Sequence, residues 1–368
     1  MTNQEQKIID LIKKNPMITQ NELSEKLSIT RSSVAVHITN LMKKGVIKGK
    51  CYILSEEPYV CVIGGANIDI QGFPNEQLVM CDSNPGKVKT SFGGVGRNIA
   101  ENMSRLGIRT KLITVVGNDD YGKNLLFDAE KCGLDTKHSL ISDEFPTPVY
   151  LSIHGVDGDM QVAVSQMDVI DKMNVKFIEN RKTLIKCARL CVLDTNLPED
   201  TVEFITKEFS NMDFYLDTVS TAKAVKARKV LGRLHTIKPN RIEAEKLSGI
   251  SIENQDDLRR AGEFFLTEGV KHVIISLGSE GIYSNDGKTE FILETEKVKV
   301  ESATGAGDAF MAGLVYGNLN DFSPVDTIRF AAAASILALS HENTINPDIS
   351  VENVKRKMEA GSNVKRLS

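Results

Sequence analysis

The sequence has no long hydrophobic run, and this absence excludes an ordinary membrane-spanning helix. Its longest apolar run, residues 330–339, is interrupted by Ser335 and falls far short of the roughly 20 residues that cross a bilayer. The first residues have neither the basic nor the apolar segment of a signal peptide. We therefore expect a cytoplasmic protein that has no membrane partner.

The six cysteines include no CxxC pair. In a chain of this length, that pattern excludes a disulfide-stapled miniprotein and is typical of small buried residues in a reducing compartment. Cys187 and Cys191 lie one helical turn apart but lack the partner pair that a zinc site needs. We interpret both as core thiols.

The composition and charge indicate two parts with different partners. At 41% hydrophobic and 26% charged residues, the 368-residue chain can bury a large core, which excludes wholesale disorder. Residues 1–55 contain nine bases and four acids and so carry +5, and since the whole chain carries −4, the remainder carries −9. A basic head on an acidic body suggests separate binding functions.

The head, residues 1–55, is predicted to form three short helices and a hairpin. Thr19 and Glu22 have the spacing of a capping box at the start of the second helix. The third helix is predicted over residues 31–44, with Met42 on its buried side. Residues 46–54 alternate around a glycine, as the two strands of a wing would.

This order of elements resembles a winged helix-turn-helix module, whose third helix enters the major groove of double-stranded DNA. The basic balance agrees with phosphate neutralisation, although a dimerisation bundle with a solvated basic face would also fit. The candidate DNA-contacting residues are Arg31, Ser32, Ser33, His37 and Asn40 on the helix, with Lys48 and Lys50 on the wing.

The body is predicted to contain a mainly parallel sheet, because short apolar runs alternate with helical patterns. The runs are 59–65, 111–117, 190–194, 214–217, 236–238 and 272–278. Ligands bind beyond the carboxyl ends of such strands. Those ends carry Asn67, Asp69, Asp194, Asn240, Ser276, Leu277 and Gly278.

Two alternating segments, 149–154 and 160–165, flank a Gly-Val-Asp-Gly-Asp turn and predict a hairpin. It could be a flap over the sheet with one face toward a ligand, or an edge hairpin that packs on itself. Gln166 and Asp168 near its end could read a base or could be solvated loop residues.

A small-residue loop leads into an apolar helix at residues 304–313, TGAGDAFMAG. Gly305, Ala306 and Gly307 would let backbone N–H groups approach an anion, and Asp308 would lie in the first helical turn. A carboxylate beside an anion hole suits the deprotonation of an alcohol that attacks a phosphoryl group. Taken without other motifs, the same small-residue pattern also occurs in ordinary turns.

With three further motifs, the loop resembles the signatures of the ribokinase (PfkB) family of sugar and nucleoside kinases. The motifs, in family order across residues 58–350, are GGANID (64–69), GGVGRNIA (93–100), KPNRIE (238–243) and the 304–313 loop. Three longer segments, GGANIDIQGF, DSNPGKVKTSFGGVGRNIAENMSRLG and MQVAVSQMDV, resemble bacterial pseudouridine kinases.

The resemblance implies roles for individual residues. Asp308 would take the proton of a 5′-hydroxyl, and residues 305–307 would form the anion hole. The ribose would be held by Asn67, Asp69, Gly93, Gly94 and Asn98. The ATP site would include Asn240, Ser276, Leu277, Gly278 and Thr304, with Asn343 near the adenine, and Asn240 and Glu243 would position Mg²⁺ through waters.

Plainer interpretations remain open for several of these residues. Asp69 could cap a turn, Gly93 and Gly94 could form a tight turn, and Asn240 with Glu243 could be a capping box. Many relatives bind a monovalent cation through an Asp where this chain has Ser302, so that cation is doubtful here. Residues 117–124 nearly spell a P-loop but lack its final Ser or Thr, and we do not assign phosphate binding to them.

The sequence therefore predicts an ATP-dependent nucleoside or sugar kinase of ribokinase-like α/β fold over residues 58–368, with a small β flap as a lid. A nucleoside-sensing transcription regulator with a kinase-like sensor domain is the alternative. The oligomeric state stays open, and a homodimer is one option.

Overall fold

The structure is a computed structural model that describes residues 2–16, 18–47, 49, 58–295, 298, 300–359 and 363–366. The chain divides into two compact units, residues 1–58 and 59–368. Every helix in the described ranges is too short or too polar to span a bilayer.

The first unit contains three helices, α1 (Asn3–Lys14), α2 (Gln20–Leu27) and α3 (Arg31–Lys43). Thr19 and Glu22 form the predicted capping box of α2. The helices share a core of Ile8, Ile12, Leu23, Val34, Ile38 and Leu41. The prediction that Met42 is buried was wrong: it is 43% exposed, because it lies beside the stripe formed by Val34, Ile38 and Leu41. Residues 48 and 50–57, most of the predicted wing, lie outside the described residues.

The described part of the second unit forms strands β1–β15 and helices α4–α14. The strands are β1 (Val60–Ile63), β2 (Asn67–Pro74), β3 (Gly86–Gly93), β4 (Thr110–Ile113), β5 (Val115–Gly117), β6 (Leu140–Ser142), β7 (Val149–His154), β8 (Met160–Gln166), β9 (Cys191–Asp194), β10 (Phe214–Asp217), β11 (Thr236–Lys238), β12 (His272–Ser276), β13 (Ile282–Asn285), β14 (Glu290–Glu294) and β15 (Asn363–Arg366). The helices are α4 (Val95–Arg105), α5 (Asp120–Lys131), α6 (Val175–Glu179), α7 (Lys182–Lys186), α8 (Glu199–Glu208), α9 (Thr221–Ala224), α10 (Arg241–Ser248), α11 (Gln255–Thr267), α12 (Ala306–Leu319), α13 (Pro324–Leu339) and α14 (Val351–Glu359).

The main sheet of the described residues has the strand order β15-β14-β13-β12-β11-β10-β9-β1-β4. Its strands are parallel from β4 to β12, and β13, β14 and β15 add an antiparallel edge. Both faces are covered. In β1, Val60 and Val62 pack toward α4, α12 and α13, while Cys61 and Ile63 pack into the cluster on the other face. The predicted parallel sheet between two helical layers is confirmed.

A second sheet of four strands, in the order β3-β2-β7-β8, contains the predicted hairpin. β7 and β8 are antiparallel, and β7 pairs in parallel with β2. The hairpin therefore extends a sheet that begins with Asn67 and Asp69, rather than packing only on itself. This arrangement is the flap alternative, and we call the four strands the lid sheet.

Candidate active site

The carboxyl ends of the parallel strands collect charged side chains at one edge of the main sheet. Asp194 ends β9, and its Oδ2 accepts a hydrogen bond of 2.8 Å from the backbone N–H of Gly65, just beyond β1. Asp217 ends β10 and forms an ion pair of 3.0 Å with Lys238 at the end of β11. All three charged side chains are buried. This edge is the predicted ligand edge.

The small-residue loop brings Asp308 to this edge. Gly305 precedes α12 with φ +84°, and a Cβ there would overlap the carbonyl oxygen of Thr344, so glycine is required. Asp308 lies in the first turn of α12 and is 8% exposed. Its Oδ2 accepts a hydrogen bond of 2.9 Å from Nδ2 of Asn98 on α4. Two motifs 210 residues apart in the chain thus meet in one contact.

The surroundings of Asp308 suit a general base. Burial, followed by the nearby Asp217 carboxylate, raises the pKa of Asp308 from its usual 3.8 to about 7, while Asn98 and Lys238 act in the opposite direction. A carboxylate with a pKa near 7 is a much stronger base than an ordinary one, and about half of it is ionised at pH 7. The site can therefore take a proton from an alcohol.

Lys238 is a candidate site residue that the sequence analysis did not single out. Its Nζ lies 3.3 Å from the position that a Cβ on Gly307 would occupy, so the ammonium faces the start of α12. The Asp217 carboxylate offsets the cost of burying this ammonium, and the pKa of Lys238 is raised overall. The available signal was the Lys of KPNRIE, since a lysine that ends a buried strand at a ligand edge is unusual.

The residues predicted to hold the sugar surround Asp69. Nδ2 of Asn67 donates a hydrogen bond of 2.6 Å to Asp69 Oδ1. A Cβ on Gly93 would overlap the Asp69 carboxylate, so the glycine makes room for that side chain. Burial raises the pKa of Asp69. The structure thus brings Asn67, Asp69 and Gly93 together, with Gly94 directly before α4 and Asn98 within it.

The register of the lid sheet identifies further neighbours of Asp69. Its cross-strand partners are Ser91 on β3 and Tyr150 on β7, and partners share one face of a sheet. Gln166 pairs with Val149, which pairs with Ile68, so it lies on the opposite face from Asp69. The register therefore favours the solvated interpretation of Gln166, and Asp168 is an exposed residue at the start of a 3₁₀ turn.

Asn240 and Glu243 form a capping box, which is one of the two roles that the sequence analysis considered for them. Asn240 Oδ1 accepts from the Glu243 N–H, and Glu243 Oε2 accepts from the Asn240 N–H, both at 2.9 Å. Glu243 Oε2 also accepts a hydrogen bond of 2.6 Å from Thr218. Glu243 Oε1 has no hydrogen-bond partner among the described residues, so this oxygen could accept from a metal-bound water.

The predicted nucleotide residues lie at the same edge. Ser276 ends β12 and forms a parallel bridge with Asn240, and Leu277 and Gly278 follow it directly. Thr304 is exposed beside the start of α12. Asn343 is exposed in the loop whose Thr344 carbonyl lies against Gly305. The loop also touches the lid sheet, since Lys89 Nζ donates a hydrogen bond of 3.3 Å to the Glu342 carbonyl.

Two other clusters resemble sites but are explained structurally. Glu101, Asp128 and Cys132 lie close enough to hold an ion, but buried Arg97 forms ion pairs with both carboxylates, 2.6 Å to Glu101 and 2.7 Å to Asp128. Asp119 in the near P-loop caps α5 and accepts two hydrogen bonds from Thr147, so its carboxylate has a structural role. Of the two presumed core thiols, Cys191 is buried, but Cys187 is exposed, which corrects the prediction.

In the first unit, α3 has an exposed face. Arg31 and Ser32 are exposed as predicted, whereas Ser33 Oγ lies 2.9 Å from the Thr30 hydroxyl at the helix cap. His37 and Asn40 are only partly exposed. Helix α3 also exposes Val36, Thr39, Met42 and Lys43. Lys48 and Lys50 lie outside the described residues.

Comparisons with known proteins agree with this geometry. The model of the pfkB family of carbohydrate kinases matches residues 57–350, and a winged helix-turn-helix DNA-binding model matches residues 1–48. Pseudouridine kinase of Escherichia coli strain K12 is 38% identical over 302 residues, 82% of this chain and 96% of that protein. The uncharacterized sugar kinase YeiI of the same strain is 34% identical over 354 residues, 96% of this chain and 98% of that protein. Arabidopsis thaliana ribokinase complexed with ribose and ATP has the same fold, with a TM-score of 0.73 at 21% identity over 83% of this chain and 99% of that one.

Proposed function

This chain belongs to the pfkB family of carbohydrate kinases, and on that premise we propose that it transfers the γ-phosphoryl group of ATP to the 5′-hydroxyl of a nucleoside, with pseudouridine as the preferred substrate. The observation that carries the proposal is the contact between Asp308 and Asn98 at the open start of α12, with Lys238 beside it. The ribokinase-like α/β fold brings these three residues to one edge of the sheet.

In the proposed reaction, the Asp308 carboxylate accepts the proton of the 5′-hydroxyl. The hydroxyl oxygen forms a bond to the γ-phosphorus, and the bond from that phosphorus to the bridging oxygen of ADP breaks. The N–H groups of residues 305–307 and the Lys238 ammonium stabilise the negative charge on the transferring group. No covalent enzyme intermediate is needed.

Mg²⁺ is the expected metal, and the donors at this edge fit it. Asn240 and Glu243 already use most of their polar atoms in the capping box. We therefore propose that they hold the ion through metal-bound waters, which donate hydrogen bonds to Glu243 Oε1. One or two carboxylates with several waters is the usual environment of this ion. When bound, Mg²⁺ would neutralise phosphate charge.

The side chains of the lid sheet are consistent with a substrate that contains a ribosyl group. The Asp69 carboxylate can accept hydrogen bonds from two vicinal hydroxyls, and Asn67 and Gly93 fix its position. The preference for pseudouridine is the more specific part of the proposal. It rests on the pseudouridine kinase that is 38% identical to this chain. Uridine, another nucleoside or ribose would retain the chemistry with a different substrate.

A screen of purified protein tests both parts. ADP production would be followed with pseudouridine, uridine, inosine, adenosine, ribose and fructose 6-phosphate as acceptors. We expect the highest kcat/KM with pseudouridine and a 5′-phosphate product by ³¹P NMR. Preference for another acceptor would overturn the substrate assignment alone, while turnover with none of them would favour the sensing alternative, in which catalysis is lost.

We further propose that the first unit binds double-stranded DNA through α3. The helix-turn-helix family model, the +5 charge of residues 1–55 and the exposed Arg31, Ser32 and Lys43 support this. Gel-shift titrations with promoter DNA, with and without nucleoside, should show binding that weakens as salt rises. A Lys43→Ala variant should flatten the salt dependence by about one ion equivalent. Binding that does not depend on salt would leave the unit as a structural module.

A further inference from the structure

A cavity of about 380 Å³ lies at the edge of the main sheet opposite to the candidate active site. It opens between the amino-terminal parts of β10, β11 and β12, the second half of α12 and the start of α13. The active-site residues Asp217, Lys238 and Ser276 end the same three strands. The volume falls in the lower part of the range of small-molecule sites.

One wall of the cavity consists of aligned polar and aromatic side chains. Tyr215 pairs with Thr236, and Thr236 pairs with His272, so the three residues stand side by side on adjacent strands. The His235 ring stacks on Tyr215 at 5.3 Å between centroids. His235 Nδ1 lies 2.9 Å from the Thr236 hydroxyl, and His272 Nε2 lies 2.8 Å from the Ser284 hydroxyl. Among the described residues, the second ring nitrogen of each imidazole has no hydrogen-bond partner.

The facing wall comes from α12 and α13. Leu314 and the Phe322 ring supply apolar surface, and Asn318 supplies an exposed amide. Thr327, more than nine-tenths buried, also lines the cavity and offers a hydroxyl that can donate or accept a hydrogen bond.

The charges around the cavity favour an uncharged ligand. Burial lowers the pKa of His235, and it lowers the pKa of His272 to about 4, so both imidazoles are neutral at pH 7. Lys271, at the rim, lies 3.5 Å from Asp213. The carboxylates of Asp286 and Asp321 also line the cavity, and they would repel a phosphate group.

We propose that this cavity is a second ligand site, which binds an uncharged nucleobase or nucleoside and transmits its occupancy to the active site. Neutral imidazoles, a hydroxyl and an amide offer both donors and acceptors to the edge of a planar heterocycle, and the aromatic rings offer contact to its faces. Helix α12 connects the two sites directly, because it carries Asp308 in its first turn and Asn318 in its last. β10 and β11 make a second connection, to Asp217 and Lys238.

Calorimetric titration of the full chain tests the binding, with uracil, adenine, uridine and adenosine as probes. The Asp69→Asn variant is used so that nucleoside binding at the candidate active site contributes little to the measured heat. We expect one molar equivalent of at least one probe to bind, and its 5′-monophosphate or ribosyl 5′-phosphate to bind at least about tenfold more weakly. Thr327→Val, which is nearly isosteric, and Asn318→Ala should each weaken binding by about five- to thirtyfold. Asn320→Ala, a neighbour outside the cavity lining, is the matched control.

Steady-state kinetics of the otherwise unaltered chain tests the transmission. The probe that binds should change kcat/KM by at least about twofold, and Asn318→Ala should abolish that change. The absence of binding by all four probes, equal binding of the phosphates, or binding unaffected by both cavity variants would overturn the site. Binding without any kinetic change would overturn its regulatory role. Since binding is measured in Asp69→Asn, the binding results do not depend on whether the kinase proposal holds.

Discussion

Replacing Asp308 by asparagine should remove most of the turnover and, at the same time, stabilise the folded protein. Both effects follow from the burial of the carboxylate beside Asp217. The amide cannot accept the hydroxyl proton, so we expect kcat to fall by about two to four orders of magnitude with little change in nucleotide affinity. The amide oxygen can still accept the hydrogen bond from Asn98, so the local geometry should persist.

The magnitude of the stabilisation comes from the pKa of Asp308. Folding raises this pKa from 3.8 to about 7. A raised acid pKa means that the folded state favours the protonated form, so the penalty of ionisation is absent below pH 4, grows between pH 4 and 7, and is constant above pH 7. A shift of about three pKa units corresponds to roughly 4 kcal/mol as an upper value at pH 8. Asparagine carries no charge to bury and avoids this penalty.

Urea unfolding and steady-state kinetics of the same preparations measure both effects. The variant should exceed the parent in free energy of unfolding by more at pH 8 than at pH 5. Asp159→Asn, which changes an exposed carboxylate in the loop between β7 and β8, is the control and should alter neither quantity. Turnover within threefold of the parent would refute the role of Asp308 as the base. A stability difference that is equal at pH 5 and pH 8 would refute the pKa argument.

Three further predictions concern the same edge of the sheet. Lys238→Met should lower kcat by about a hundredfold or more while the KM for nucleoside changes little, because the ammonium faces the anion site; steady-state kinetics with an unchanged kcat would contradict it. Gly93→Ala should raise the KM for nucleoside but not for ATP, since its Cβ would displace the Asp69 carboxylate, and equal effects on both KM values would count against that role. Asn240→Ala should lower stability by about 1 kcal/mol through the lost cap and should also raise the Mg²⁺ concentration needed for half-maximal rate; an unchanged Mg²⁺ titration would leave only the capping role.

The parallel strands could be predicted because each is buried on both faces and reads as a continuous apolar run. The two other strands of the lid sheet, β2 and β3, could not be predicted from the sequence. Strands β2 and β3 are largely half-exposed and carry polar residues such as Asn67 and Lys89, so no apolar run marks them. Strand β2 also pairs with β7, about 80 residues further along the chain.

The direction of individual side chains could not be predicted where one residue of register decides it. Gln166 ends a strand whose preceding residue, Ser165, shares the face of Asp69, so the sequence left both interpretations of Gln166 open. Met42 illustrates the same difficulty on a helix, where a side chain next to the apolar stripe is still exposed. Lys238 was overlooked because its significance depends on Asp217 and Gly307, which are distant in the sequence.

The burial of several carboxylates at this edge of the sheet has two opposing consequences. Asp308 is buried near the Asp194 and Asp217 carboxylates, and the Lys238 ammonium only partly offsets their repulsion. That repulsion destabilises the fold, but it also increases the proton affinity of Asp308, which is what a base for an alcohol requires.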